Sequence, residues 1–394
     1  MDYLIIISYI SLISWIYLTF FHGRKKLFND PFFWSNKIIF EKNHFPRSKY
    51  LYNLGICVII PARNEEKTIL KTLNSIRNQK IKNLEIVVID DNSSDKTSDI
   101  VKTFKKKFKN IHLIFGKKLP LGWVGKTWAM KQAVDYANKK NYKYYAFIDS
   151  DIVIKKDLLK KVSLFINSND YVMISLMAKL NSKSIWEKIL IPPFIYFFQK
   201  LYPFNLVINN QSSVSAAAGG FIFCKAEYFR EENFYNQIKN KIIDDCNIAK
   251  FLKNKGSIWI GLTNQVVSCR EYRYLKQIWG MVSRTAFEQL GHSIILLLFC
   301  LFGLFIIYLF PFITFLHFFK IIGSEKYSVN LLLPNFLSVI MMIIVFSPTI
   351  KFYKIKKIFI FTLPLSAVIY GFMTLTSALN HFIFLGNKWK GRNY

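Results

Sequence analysis

At 394 residues the chain is long enough for one sizeable soluble domain and a further element. Its composition, 52% hydrophobic and 17% aromatic with 38 Phe, is rich for a soluble enzyme, and its formal charge of +30 suits nucleic acid, an anionic membrane face or a phosphorylated substrate. The five cysteines, Cys57, Cys224, Cys246, Cys269 and Cys300, form no C-x-x-C pair and are odd in number, which speaks against a zinc site or a disulfide framework. Lys, Ile, Asn and Phe recur throughout, so charge alone carries little functional weight.

In chain order, Leu4 to Phe21 is apolar and is followed by Arg24, Lys25 and Lys26. A signal peptide has its basic residues first, so this order predicts a membrane helix whose basic end is cytosolic, or an interfacial anchor. A polar and aromatic connector occupies 23–54. From Gly55 an α/β pattern begins. CVII is a short β-branched run that Pro61 should end, because proline has no N–H for a ladder. Thr68 to Arg77 carries Ile69, Leu70, Leu73 and Ile76 at helical spacing, and EIVVID is a second apolar run. Together they predict a βαβ unit, with ligands received at the carboxyl ends of its strands.

A basic helix to Lys109, the strand IHLIF and the loop Gly116 to Trp128 come next. A helix to Lys140 then leads to the strand YYAFID and the triplet Asp149-Ser150-Asp151. Asp157 to Asn167 reads as a helix and YVMISLMAKL as a strand. Ile185 to Asn209, interrupted by Pro192, Pro193 and Pro203, reads as an interfacial segment or a buried core segment. SAAAGGFIFCK enters a strand, and Ile243 to Gly256 is a helix with aspartates at its start. Ile258–Ile260 and Gln265–Ser268 supply further strands.

Beyond Ser293 three long apolar runs follow: Ile294 to Phe319, kinked at Pro311, Leu331 to Ser347 and Ile358 to Leu379. Lys351, Lys354, Lys356 and Lys357 mark the connector before the last run as cytosolic. Four spans would leave the basic tail 386–394 outside, so either the tail breaks the positive-inside rule or one segment does not cross. The domain reading is an anchor at 1–22, the connector 23–54, a catalytic α/β domain at 55–291, membrane helices at 292–385 and the tail.

Several constellations carry chemistry. Asp149 and Asp151 bracket one residue after an apolar run; in extended chain both carboxylates face one way and suit Mg²⁺ or Mn²⁺. Asp90 and Asp91 suit a base or ribose, and the loop DDNSSD also caps the next helix. Asp244 and Asp245 suit either a general base or helix-dipole compensation. VGKT lacks the P-loop glycine, since Pro120 stands five residues before Gly125, but Lys126 remains a candidate phosphate contact. Arg284 suits a diphosphate clamp or an interfacial cation.

PARNE after the first strand, IDD after the second, DSD after a later one, AGG, DD and an arginine ahead of membrane helices resemble a family 2 glycosyltransferase with a GT-A fold. The resemblance spans roughly Gly55 to Gly291, and LGWVGKTWA, SAAAGGF, IIDDC, MVSRTAF and WKGR more narrowly resemble the hopene-associated glycosyltransferase group. It implies a Rossmann-like, mostly parallel sheet with N-terminal and C-terminal transmembrane helices. It implies that Pro61, Ala62, Asn64 and Glu65 flank the nucleoside, that Asp91 contacts the base with Asp90 beside it, and that Asp149 and Asp151 hold the metal. Gly219 and Gly220 would wall the acceptor, Asp245 would be the base with Asp244 its neighbour, and Arg284 matches the arginine of a Q/R-x-x-R-W signature. Met281 and Thr285 depart from that signature, which speaks against a processive polymer synthase.

The implied reaction is inverting transfer of one sugar from a nucleotide donor, UDP-linked, to a lipid acceptor of hopanoid type. The implied setting is a multi-pass cell-membrane protein with a cytoplasmic catalytic domain and no nucleic-acid partner. A ceramide-like or polyprenyl-phosphate acceptor is the alternative within enzymes. A basic, membrane-tethered binding protein for nucleic acid or anionic lipid is the alternative outside them, and acidic groups at three strand ends weigh against it.

Overall fold

The structure, a computed structural model, describes residues 2–22, 40, 55–230, 234–320, 329–384, 388–389 and 392–393. The connector apart from Phe40, the basic triplet at 24–26 and most of the tail lie outside the described residues. Two compact units emerge: Met1–Trp34 with Ser182–Pro203 and Tyr272–Asn387, and Ser35–Asn181 with Phe204–Glu271 and Lys388–Tyr394. The second is the α/β unit. The sequence placed 55–291 in a single domain, whereas 182–203 and 272–291 belong with the long apolar helices. Local bonds explain the difference: the Tyr272 N–H donates to Glu187 at 2.6 Å and the Tyr202 hydroxyl to Gln289 at 2.6 Å.

The α/β unit is built on strands β1 (Ile56–Ala62), β2 (Leu84–Asp90), β3 (Ile111–Phe115), β4 (Tyr144–Ile148), β5 (Ile152–Ile154), β6 (Met173–Lys179), β7 (Phe221–Lys225) and β8 (Ile258–Ser268). They form one sheet in the order β3-β2-β1-β4-β7-β6-β8-β5. The β3-β2-β1-β4 half is parallel, β7 runs against β4 and β6, and β8 pairs parallel with β6 and antiparallel with β5. The sheet is therefore mixed, with the expected parallel order in its β3-β2-β1-β4 half. Gln265–Ser268 is the continuation of β8 rather than a separate strand.

Five helices matter to the site: α1 (Ile69–Arg77), α2 (Thr97–Lys107), α3 (Gly125–Ala137), α4 (Leu158–Ser168) and α5 (Asp244–Lys253). In α1, Ile69, Leu73 and Ile76 are buried, as positions one and two turns apart should be. Leu70, expected in that stripe, falls outside its arc and is 46% exposed.

Pro61 does not end β1; it is paired within it, opposite Ile89. Alternate residues of a parallel strand bond to opposite neighbours. Ala62 bonds toward β2, its carbonyl accepting the Asp91 N–H at 2.8 Å. The missing donor of Pro61 therefore turns to the β4 side, where pairing has stopped at Ile59↔Phe147. Register also explains how the small-residue run reaches the site: Ile148 at the end of β4 lies opposite Phe221 at the start of β7, which sets Gly219 and Gly220 beside the Asp149 turn.

In the other unit, four helices are long and apolar enough to cross a membrane: Tyr3–Phe21, Ile294–Leu316, Val329–Tyr353 and Lys357–Ile383. Ile185–Leu201 is a continuous helix despite Pro192 and Pro193, started by a Ser184–Glu187 capping box. Its buried side chains, Leu190, Ile191, Ile195 and Tyr196 among them, make it a core segment. Pro193 cannot donate to the Ile189 carbonyl four residues back. The Ser366 hydroxyl takes that carbonyl at 2.8 Å, and the Tyr370 hydroxyl takes the next, Leu190, at 2.8 Å. Pro311 likewise leaves Ile307 without its helical donor; the Trp15 indole supplies one at 2.7 Å, beside a π-helical turn at Phe305–Leu309.

Candidate active site

The carboxyl ends of β1, β2 and β4 converge with the start of α5. On the β1–β2 side, Arg63 donates to the backbone oxygens of Asp91 at 2.5 Å and Asn92 at 3.2 Å, and lies 3.8 Å from the Asp91 carboxylate. Asp91 is only 1% exposed, so it sits beneath this guanidinium. Asn64, at a left-handed φ of 53°, accepts the Ser94 N–H at 2.8 Å and joins the two loops. The Asp90 carboxylate accepts from the Ser93 N–H at 3.0 Å and from the Ser93 and Ser98 hydroxyls, so its oxygens hold the DDNSSD loop together. Pro61 and Ala62 contribute the buried end of β1. A side chain at Gly116 would come within 3.1 Å of the Asp90 carbonyl, which is why the loop after β3 needs glycine to lie against Asp91.

Glu65 is 4% exposed, and its carboxylate accepts from the Thr68 hydroxyl at 2.8 Å and from Arg270 at 2.5 Å. It therefore braces the loop after β1 from behind.

Asp149-Ser150-Asp151 is a turn rather than extended chain: the Ile152 N–H closes back on the Asp149 carbonyl at 3.1 Å. The two carboxylates consequently meet different cations, contrary to the alternation argument. Asp149 faces Lys126, with Nζ 3.4 Å from Oδ1. Asp151 Oδ2 accepts from the Ser268 hydroxyl at 2.8 Å and from Arg270 Nε at 3.1 Å.

Lys126, in the first turn of α3, also lies 3.2 Å from Asp244 Oδ1. The N-terminal end of α3 is fixed by the Val124 N–H on the Lys239 carbonyl at 2.7 Å and by the Thr127 hydroxyl on the Lys241 carbonyl at 3.1 Å. Burial alone would lower the Lys126 pKa; the carboxylates of Asp149, Asp244 and Asp245 outweigh it and hold the ammonium charged. Burial pushes the Asp149 carboxyl up, with Lys126 opposing.

Asp244 and Asp245 occupy the first turn of α5. Burial and the neighbouring Asp244 push the Asp245 carboxyl up to about 6, against the pull of Lys126. Its Oδ1 accepts the Cys246 N–H at 2.8 Å. A Cβ on Gly219 would stand 3.0 Å from its Oδ2, and one on Gly220 would stand 3.1 Å from the Ala178 side chain, so both glycines make room. At the far end of α5, Lys253 donates to the carbonyls of Leu206, Val207 and Val214 and pins the segment that leads to these glycines.

Lys126, Asp149, Asp244 and Asp245 are thus brought together, with Asp151 on the adjoining turn. Arg284 caps the helix Leu275–Ser283 in the membrane-helix unit. Sequence reading missed Arg270 and Ser268; the signal was a hydroxyl and a cation, S-C-R, at the end of β8, where the other strand ends carry acids.

Two carboxylates of this kind fit a hard divalent ion that keeps water and bridges to phosphate oxygens. Among the described residues no group of three or more His, Cys, Asp or Glu side chains is arranged to hold a metal.

Residues 57–232, which run from β1 to β7 of the sheet described above, match the family model described as Glycosyl transferase family 2. The match includes Asp91, Asp149 and Asp151 and stops short of Asp245. An uncharacterised protein of Methanocaldococcus jannaschii is 42% identical over 110 residues, covering 26% of this chain and 45% of its own length. A 4,4'-diaponeurosporenoate glycosyltransferase of Staphylococcus haemolyticus is 32% identical over 103 residues, 26% of each chain. A poly-β-1,6-N-acetyl-D-glucosamine synthase of Staphylococcus epidermidis is 30% identical over 120 residues, 30% of this chain and 27% of its own. The chain spans less than half the length of these relatives. Among solved structures, a mannosyltransferase of Pyrobaculum calidifontis in complex with GDP-Man and Mn²⁺ covers 84% of this chain and 88% of its own at 12% identity and a TM-score of 0.48.

Proposed function

We propose that the protein is a membrane-bound, inverting glycosyltransferase that moves one sugar from a nucleotide donor, UDP-linked, to a lipid hydroxyl. The carrying observation is Lys126 lying 3.4 Å from Asp149 and 3.2 Å from Asp244, which ties the donor side of the site to the helix start that bears Asp245.

In this reading the nucleoside lies over the β1–β2 ends near Asp91 and Arg63. The acceptor oxygen approaches over Gly219 and Gly220. Asp245 takes the hydroxyl proton as the oxygen forms its bond to the anomeric carbon; the bond from that carbon to the diphosphate breaks on the opposite face, and the nucleoside diphosphate leaves with the electron pair. A carboxyl titrating at about 6 is ionised at neutral pH yet basic enough to accept the proton. Asp149 and Asp151 would hold Mg²⁺ or Mn²⁺, which when bound neutralises the diphosphate. Lys126, 3.4 Å from Asp149, would add its ammonium to that neutralisation.

Four helices long and apolar enough to cross a bilayer support a membrane setting, and Arg24, Lys25 and Lys26 after the first of them support a cytoplasmic α/β unit. The narrower motif resemblance supports a hopanoid acceptor. The relatives' names differ in acceptor, so a ceramide-like or polyprenyl-phosphate lipid is the second reading. Nucleic acid has no part in the reaction.

The test is UDP with Mn²⁺ against the detergent-solubilised full chain. Thermal protection that needs both is expected, and no shift overturns the donor assignment. Lipid extracts of cells with and without the chain, compared by mass, should differ by one added hexose-type unit on one lipid class; identical extracts overturn the acceptor assignment.

A further inference from the structure

We propose that Arg270 is a positioning residue for the divalent-cation site, turning the Asp151 carboxylate so that Oδ1 alone is presented to the cation. The inference rests on the glycosyltransferase reading above. Asp151 and Glu65 come from separate segments, the turn after β4 and the loop after β1. Their side chains are 12% and 3% exposed. Two buried carboxylates on one side of a site repel each other unless a cation is shared between them.

Arg270 supplies that cation, through Nε to Asp151 Oδ2 at 3.1 Å and through an η-nitrogen to Glu65 Oε1 at 2.5 Å. The Ser268 hydroxyl donates to the same Oδ2 at 2.8 Å. Two donors on one oxygen fix the carboxylate's rotation and use that oxygen up. Glu65 is held in turn by the Thr68 hydroxyl on Oε2 at 2.8 Å, so the brace has a rigid far end. The planar fork matters: Nε and an η-nitrogen reach two carboxylates at a fixed angle, which the single point charge of lysine does not. The bond from Cys269 N–H to the Asp151 carbonyl, 2.8 Å, holds the turn and the end of β8 in place for this contact. Partners that orient a metal-ligating carboxylate set its affinity as the ligand itself does.

The experiment is a Mn²⁺ titration of the detergent-solubilised full chain in saturating UDP, reading free Mn²⁺ by electron paramagnetic resonance. The thermal midpoint of the metal-free protein is measured beside it. Arg270→Gln is expected to weaken Mn²⁺ binding by roughly 10- to 100-fold. Arg270→Lys, which keeps the charge without the fork, should recover only part of it. Ser268→Ala should shift affinity the same way by less, with an unchanged midpoint, and decides the matter if Arg270→Gln does not fold. Mn²⁺ affinity within twofold of the starting protein in Arg270→Gln, or full recovery in Arg270→Lys, overturns the proposal while leaving the glycosyltransferase reading standing. A starting protein that takes up no Mn²⁺ overturns both.

Discussion

At the mouth of the sheet, carboxylates are matched by ammonium and guanidinium groups: Lys126 with Asp149 and Asp244, Arg270 with Glu65 and Asp151. Among the long apolar helices, polar atoms are matched differently. There, backbone carbonyls that Pro193 and Pro311 deprive of donors are taken up by neutral side chains, Ser366 and Trp15. In each of these cases the polar atom finds a partner. The difference lies in what a ligand can displace. A charged pair can exchange one partner for an incoming charge; a capped carbonyl has nothing to exchange for. The first arrangement suits chemistry and the second suits permanence.

Substitutions should separate the two. The largest effect is expected for Asp245→Asn, which removes the proton acceptor and keeps the shape. Transfer should fall by about 10³-fold with UDP–Mn²⁺ protection retained; turnover near the starting rate would remove Asp245 from the base role. Next is pH. Because the Asp245 carboxyl is raised to about 6, it is protonated at a higher pH than an ordinary aspartate, and the rate should fall roughly tenfold per unit below that point. A flat profile down to pH 5 would contradict it. Gly219→Ala puts a methyl 3.0 Å from Asp245 Oδ2 and should slow transfer about tenfold without lowering the thermal midpoint. On the membrane side, Tyr370→Phe leaves the Leu190 carbonyl without that bond. It should cost about 1 kcal/mol of stability, seen as a lower midpoint in detergent, with the rate constant for transfer unchanged. An effect on transfer from that residue would erase the contrast drawn here.

The βαβ start, the acidic strand ends and the apolar helices were legible because each is a local pattern. Ile69, Leu73 and Ile76 announce a helix whatever surrounds them, and so do the runs after Ser293. What escaped depends on partners far along the chain. Pro192 and Pro193 look like breaks until Ser366, 177 residues away, is found on the exposed carbonyl. Pro61 looks like a strand end until the register shows pairing already finished on its other side. The DSD triplet looks extended until its turn bond is seen, and Arg270 lies 119 residues from the carboxylate it holds. The base assignment for Asp245 stood at even weight with helix capping on spacing alone; burial beside Asp244 and Lys126 is what favours the chemical role.

The bond from Trp15 to Ile307 spans 292 positions, and Asn335 reaches back 327 to Ser8. At ordinary synthesis speeds of about 5–20 residues per second, the first helix waits roughly 15 to 60 seconds before its indole meets that carbonyl. During that interval the whole sheet has been made and can close on its own core. A nascent protein stalled before Ile307 would therefore hold every strand of the sheet while its leading helix still lacked that carbonyl.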